Sequence, residues 1–208
     1  MVQQYPNMTE LCEIAFKYGT DKCPRIGHTY TPFYHELLKD KRESIKKVLE
    51  IGIGYKRSWH IKLEQYVIGA SLYMWRDFFP NAHIYGADIV PETLFQDERI
   101  STFLCDETKK GDLEKLIEKT GSDIDLFIDD GSHVLADQMF LCKTMMPLLK
   151  KDVIYIIEDV MLTGKITSAL QEYECYVPEL LSPYPDISLH PNPQMKIIKN
   201  NIVVVKNY

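Results

Sequence analysis

The sequence has no C-x-x-C pair, and its cysteines (Cys12, Cys23, Cys105, Cys142 and Cys175) are five, an odd number. That pattern argues against a zinc knuckle and against a disulfide scaffold, so a reducing, cytoplasmic setting is expected. No run approaches the roughly 18 apolar residues of a membrane-spanning helix. Residues 1–10 are polar, without a basic start and an apolar run, so no secretory leader is expected. Positive charge is also in short supply: 24 Lys and Arg stand against 30 Asp and Glu, a net charge of −6. Proteins that bind nucleic acid usually neutralise phosphates with a basic stripe, and there is none here. A small-molecule or glycan substrate is therefore expected, with no nucleic acid and no membrane partner. Internal repeats and low-complexity tracts are missing as well.

What is present is a chain of 208 residues, 45% hydrophobic and 26% charged, enough for one domain with a sizeable core. Residues 8–18 read as a short helix capped by Asn7 or Thr9, and residues 33–43 as a second helix. Residues 47–51 form a short apolar run that ends at Gly52-Ile-Gly54, a buried strand entering a glycine turn. Further strands are expected at residues 84–88, 99–105, 124–129 and 153–157, with helices at 71–79, 112–119 and 134–149. Strands that alternate with helices imply parallel strands joined by right-handed crossovers. Two β-rich runs, 195–199 and 202–206, flank Asn200-Asn201 and read as an antiparallel hairpin at the sheet edge. The fold class is thus α/β: a Rossmann-like, doubly wound, mostly parallel sheet with a C-terminal antiparallel hairpin. One domain covers residues 1–208, with a cap segment at 1–45 and the core at 46–208. Residues 55–68 and 162–184 fit this alternation poorly, and as segments near the strand ends they are candidate lids or substrate walls.

The chemistry gathers at strand ends, where open α/β sheets bind ligands. Gly52 and Gly54 follow a strand that carries Glu50, and glycines let a ligand approach the backbone closely. The third glycine of a dinucleotide turn is replaced by Arg57, which weakens a nicotinamide reading. Asp88, at the next strand end, suits the two hydroxyls of a ribose. Asp106, one strand further, is placed to meet an adenine edge. Singly, each is also a common loop or cap residue; in this order they describe a nucleoside pocket. Asp129-Asp-Gly-Ser-His133 ends the fourth strand and Glu158-Asp159 the fifth. Neighbouring strands lie roughly 4.8 Å apart, so several carboxylates and one imidazole would meet at one rim. Like charges so close need a cation or a shared proton. Oxygen ligands favour a hard ion such as Mg²⁺. Beside such a cluster His133 becomes a candidate general base.

The ordered motifs Y-G-T-D-K, H-x-Y-x-x-x-Y, V-L-E-I-G-I-G, G-A-S-L-x-M-W-R-D-F-F-P-N-A, I-Y-G-A-D-I, D-D-G-S-H and I-E-D resemble a class I methyltransferase family, that of the macrocin- and mycinamicin-type sugar O-methyltransferases. The resemblance covers about residues 18–159, and D-D-G-S-H followed by E-D is its specific part. It implies S-adenosylmethionine as cofactor, contacted by Glu50, Gly52, Gly54, Ser71, Asp88, Asp106 and Asp129, with Tyr18 and Asp21 closing the site. It implies Mg²⁺, or a similar divalent ion, on Asp130, Glu158 and Asp159, and His133 as the catalytic base. Residues 55–68 are longer and bulkier than the glycine-rich link of relatives, and the chain has no room for the macrolide enzymes' extra regions. A macrolide acceptor is not implied. Many relatives self-associate, so a homo-oligomer is compatible with the resemblance.

The expected reaction is methyl transfer to a hydroxyl of a sugar or glycoside. A metal-dependent O-methyltransferase of catechols or other vicinal diols would use the same residues and is the alternative. An iron hydroxylase fits less well, since such sites favour two histidines and one carboxylate. A non-catalytic adenosylmethionine-binding module is the alternative of another kind.

Overall fold

The computed structural model describes residues 8–54, 67–180 and 201–208. Helices α1 (Glu10–Tyr18) and α2 (Tyr30–Leu38) precede the first strand, β1 (Lys47–Ile51). Then follow α3 (Ala70–Phe78), β2 (His83–Asp88), β3 (Gln96–Asp97), β4 (Ile100–Leu104), α4 (Lys110–Thr120), β5 (Leu126–Asp129), α5 (Leu135–Met145), β6 (Ile154–Ile157), α6 (Thr163–Ala169), β7 (Glu174–Tyr176) and β8 (Val203–Lys206). Thr9, not Asn7, caps α1: its hydroxyl accepts from Cys12 N at 3.4 Å. Gly19 ends that helix in the left-handed region and returns its N–H to Ala15 and Phe16. The second helix begins three residues earlier than expected and ends at Leu38, where a single 3₁₀ turn, Lys39–Lys41, takes over.

The sheet order is β3-β4-β2-β1-β5-β6-β8-β7. Strands β4, β2, β1, β5 and β6 are parallel, whereas β3 and β8 run against their neighbours. The chain builds outward from β1 on one side through β2 and β4, then crosses to the other through β5 and β6. The order therefore switches between β1 and β5, where open α/β sheets form a ligand crevice. Their register pairs Ile51 with Asp129, so the glycine turn and the Asp129-Asp130 pair leave the sheet side by side.

The expected C-terminal hairpin is revised. Its second arm is β8, but β8 lies inside the sheet, antiparallel to β6 on one side and to β7 on the other. The other arm, residues 195–199, lies outside the described residues. Strand β7 falls within the 162–184 stretch, and its three residues are too few to show a two-residue alternation.

Alternation along the strands loads both faces. Val48, Ile84, Leu126, Ile156 and Val204 pack with Leu11, Tyr34, Trp75 and Phe78 on the face covered by α1, α2 and α3. Leu49, Phe127, Tyr155, Val203 and Val205 pack with Leu113, Leu141, Met145 and Ile166 on the opposite face. Burial on both faces explains why β1, β5 and β6 read as continuous apolar runs. No helix among the described residues is long and apolar enough to cross a membrane.

Candidate active site

A cavity of about 760 Å³ opens at the carboxyl ends of the parallel strands. Its wall includes Gly52 and Gly54 after β1, Asp88 and Ile89 after β2, Asp106 and Glu107 after β4, Asp130 to His133 after β5, and Glu158 and Asp159 after β6. Ser71 of α3 and Thr20, Asp21, Lys22 and His28 from the loop between α1 and α2 complete it. The switch point and the acidic strand ends thus share one hollow.

Gly52 sits at φ +85°, and a Cβ there would strike the backbone of Asp130 and Gly131. The missing side chain lets β1 and the Asp130 loop come together. Asp88 is held by two backbone amides: Ile53 N donates to Oδ2 at 3.0 Å and Val90 N to Oδ1 at 2.9 Å. That fixes it under the glycine turn. Asp106 accepts from Thr108 N and Oγ1, and Lys109 pairs with it at 3.0 Å. The hydrogen bond from Thr108 and the Lys109 charge hold its carboxyl below the ordinary range.

At the metal-type end, donor atoms of Asp130, His133 and Asp159 lie within 4.8 Å of one another. His133 Nε2 is 3.1 Å from Asp130 Oδ1 and 3.7 Å from Asp159 Oδ2. Burial opposes the imidazolium charge, but the bond to Asp130 and the fields of Asp159 and Glu158 outweigh it and raise the pKa to about 9. Burial also opposes the Asp130 charge, yet Lys22 and His133 hold that carboxyl well below its ordinary range. His133 and Asp159 both adopt left-handed backbone conformations, at φ 59° and 51°. Such strain in non-glycine residues collects at functional sites. Asp159 Oδ1 accepts from Tyr30 at 2.6 Å and from Asn201 at 2.8 Å, so α2 and the approach to β8 steady it. Oxygen and imidazole donors gathered at a cavity wall suit a hard divalent cation.

Several expected site residues lie elsewhere. Glu50 is fully buried and does not line the cavity. Alternation along β1 puts it on the same face as Val48, toward α3, where Ser71 Oγ donates at 2.6 Å and Trp75 Nε1 at 2.5 Å. Ser71 lines the cavity, but its hydroxyl proton is committed to Glu50. Asp129 points into the opposite core; neither of its oxygens has a hydrogen-bond partner among the described residues. Burial, then the nearby Glu107 carboxylate, push its pKa well up. Tyr18 turns outward: its hydroxyl donates to Asp77 at 2.6 Å and its ring stacks on Tyr73. Glu158 reaches the cavity, but Tyr34 donates to its Oε1 and Lys22 to its Oε2 at 2.6 Å.

Lys22, Tyr34, Tyr30, His28, Glu107 and Asn201 received no role from sequence reasoning. Lys22, His28, Tyr30 and Tyr34 lie within the Y-G-T-D-K and H-x-Y-x-x-x-Y motifs, the only signal that could have marked them. Glu107 accepts from Ser132 N at 2.8 Å and anchors the Asp130–His133 loop.

A parallel sheet with this strand order and a cleft at its switch point is the fold of the class I methyltransferases. The MycE methyltransferase of the mycinamycin biosynthetic pathway, solved with Mg and SAH, superposes with a TM-score of 0.70 at 23% identity, covering 95% of this chain and 54% of that one. In sequence the chain resembles the sugar O-methyltransferases. It is 34% identical over 154 residues to mycinamicin VI 2''-O-methyltransferase of Micromonospora griseorubida, which covers 72% of this chain and 36% of that protein. It is 34% identical over 152 residues to demethylmacrocin O-methyltransferase of Streptomyces fradiae, with the same shares covered. The chain thus spans about a third of the length of these curated relatives. No family model matches it.

Proposed function

We propose that this chain is an S-adenosylmethionine-dependent O-methyltransferase that uses Mg²⁺ or a similar divalent cation and acts on a hydroxyl of a sugar or glycoside. One observation carries the reading: Asp130, His133 and Asp159 converge on the wall of the same cavity that Gly52, Gly54, Asp88 and Asp106 line. The likeness to sugar O-methyltransferases supports it. Asp88 meets the ribose hydroxyls, Asp106 the adenine edge, and the glycine turn and Asp21 the remainder of the cofactor. Glu50 shapes that wall from behind, through Ser71. Asp130 and Asp159 hold the cation, with Glu158 beside them. When bound, the cofactor supplies the methyl group and the cation lowers the pKa of the acceptor hydroxyl.

His133 is the base. Burial opposes its charge, but the bond to Asp130 and the field of Asp159 raise its pKa to about 9, which favours the imidazolium form. A cation held by Asp130 and Asp159 would take up their charge and leave Nε2 free to accept the hydroxyl proton. The acidic rim complements a sulfonium, and the fixed wall orients the two reactants, which supplies much of the acceleration. On this reading the protein works in the cytoplasm on a small-molecule or glycan acceptor, and residues 8–45 form a cap over the site.

The test is S-adenosylhomocysteine release across nucleotide sugars, glycosides and catechols, after chelation and again after Mg²⁺ is restored. Turnover should vanish in chelator and return with Mg²⁺. Full turnover in chelator overturns the metal role, and near-normal turnover of His133→Ala rejects the base. Cofactor binding without turnover across the panel would favour a binding module.

A further inference from the structure

Lys22 has no part in the function proposed above, yet it is almost fully enclosed in the cavity wall, with a side chain 2% exposed. Its Nζ donates to Asp130 Oδ2 and to Glu158 Oε2, both at 2.6 Å, and lies 3.7 Å from Glu50 Oε1. An ammonium group gives up its water only where fixed anions replace it. In return, Lys22 keeps three carboxylates from facing one another uncompensated.

The ammonium sits between Asp130 and Glu158, two of the carboxylates that the resemblance implies for a hard cation. One oxygen of Glu158 is taken by Tyr34, so the oxygen that could turn to a metal is the one on Lys22. The sequence motif points to Asp130, Glu158 and Asp159 as ligands, whereas the donors that converge in the structure belong to Asp130, His133 and Asp159.

We propose that Lys22 is a resident counter-ion of the acidic rim, and that a divalent cation displaces its ammonium from Asp130 and Glu158 toward Glu50. The proposal rests on the metal-dependent reading above. Glu50 Oε1 is the nearby destination. Because Lys22 belongs to the loop after α1, cation occupancy is coupled to the N-terminal cap. Lys22 is on this account a positioning residue, and it competes with the metal for the same oxygens.

Removing the competitor should tighten metal binding. Chelator-stripped wild type, Lys22→Met and Lys22→Arg are titrated with Mn²⁺ by calorimetry, and the rise in Tm on adding Mn²⁺ is read in parallel. Lys22→Met should bind about tenfold more tightly or better, since a repelling charge has left the site. Lys22→Arg, which keeps the charge, should not. The Mn²⁺-induced rise in Tm should be largest for Lys22→Met, because the ion then neutralises acids that have lost the Lys22 charge. If wild type binds Mn²⁺ and Lys22→Met binds equally or less well, displacement is overturned while the metal-dependent reading stands. If none of the three binds Mn²⁺, both fall. Should Lys22→Met fail to fold without metal, refolding with Mn²⁺ decides: recovery supports the proposal, and its absence overturns it.

Discussion

Replacing Gly52 by alanine tests whether the glycine turn exists to bring β1 against the Asp130 loop. Gly52 sits at φ +85°, and a Cβ there would lie 2.5 Å from the Asp130 carbonyl carbon and 2.9 Å from Gly131 N, with the Asp130 oxygen nearer still. These are backbone atoms, so no side-chain rotation relieves the overlap. Retreat is also blocked, because Gly52 N donates to Ala87 O at 2.8 Å and Asp130 N donates to Ile51 O at 2.9 Å. A left-handed conformation costs an L-residue roughly 1–2 kcal/mol, and overpacking a rigid site adds roughly 1–3 kcal/mol. Gly52→Ala should therefore lose about 2–5 kcal/mol, a large part of a typical domain's stability. Urea denaturation followed by far-ultraviolet circular dichroism measures this, with the midpoint falling and the slope unchanged. S-adenosylhomocysteine affinity should fall by about tenfold or more as the Asp130 loop is pushed from the turn. A variant within about 1 kcal/mol of wild type, with cofactor affinity intact, would refute the close approach.

Three further outcomes follow from the same geometry. Tyr34→Phe leaves a buried Glu158 oxygen without its donor and should cost about 1.5–3 kcal/mol in urea denaturation; a loss below about 0.5 kcal/mol would show that the hydroxyl is not needed there. In chelator, the His133–Asp130 pair should stabilise the fold fully below the ordinary histidine value of 6.5 and lose that contribution as pH rises through about 9, since the folded-state pKa is raised. His133→Asn should flatten that part of the stability–pH curve, and identical curves for the two proteins would contradict the pairing. Tyr18→Phe, changed outside the cavity, should leave S-adenosylhomocysteine affinity within about twofold of wild type, and a larger loss would return Tyr18 to the cofactor.

What could be read from the residues was local, and what could not was long-range. Strands β1, β5 and β6 announce themselves because both faces are buried, and the acids that follow them are adjacent in sequence to those apolar runs. The meeting of Asp130 with Asp159 follows once β5 and β6 are neighbours. The surroundings of Glu50 were not legible because a motif marks a position but not a face: the pleat decides, and it aims Glu50 at Trp75. Lys22 bonds acids 108 and 136 residues away, and no spacing rule connects residues so far apart. Tyr18 stands in the same motif as Lys22 but one helix end earlier, and it turns to Asp77 instead. The placement of β8 depends on β7, whose three residues are too short for any period.

The insertion of β8 between β6 and β7 bears on how the protein is made. Until residues 203–206 have left the ribosome, Ile154-Tyr-Ile-Ile157 is an unprotected apolar border of the sheet, a template for pairing with other chains. Asp159 meanwhile lacks the amide of Asn201 that helps set its carboxylate. Closure of the β6 border and the setting of the Asp159 carboxylate therefore depend on one segment, and a chain cut before Asn201 would lose both at once.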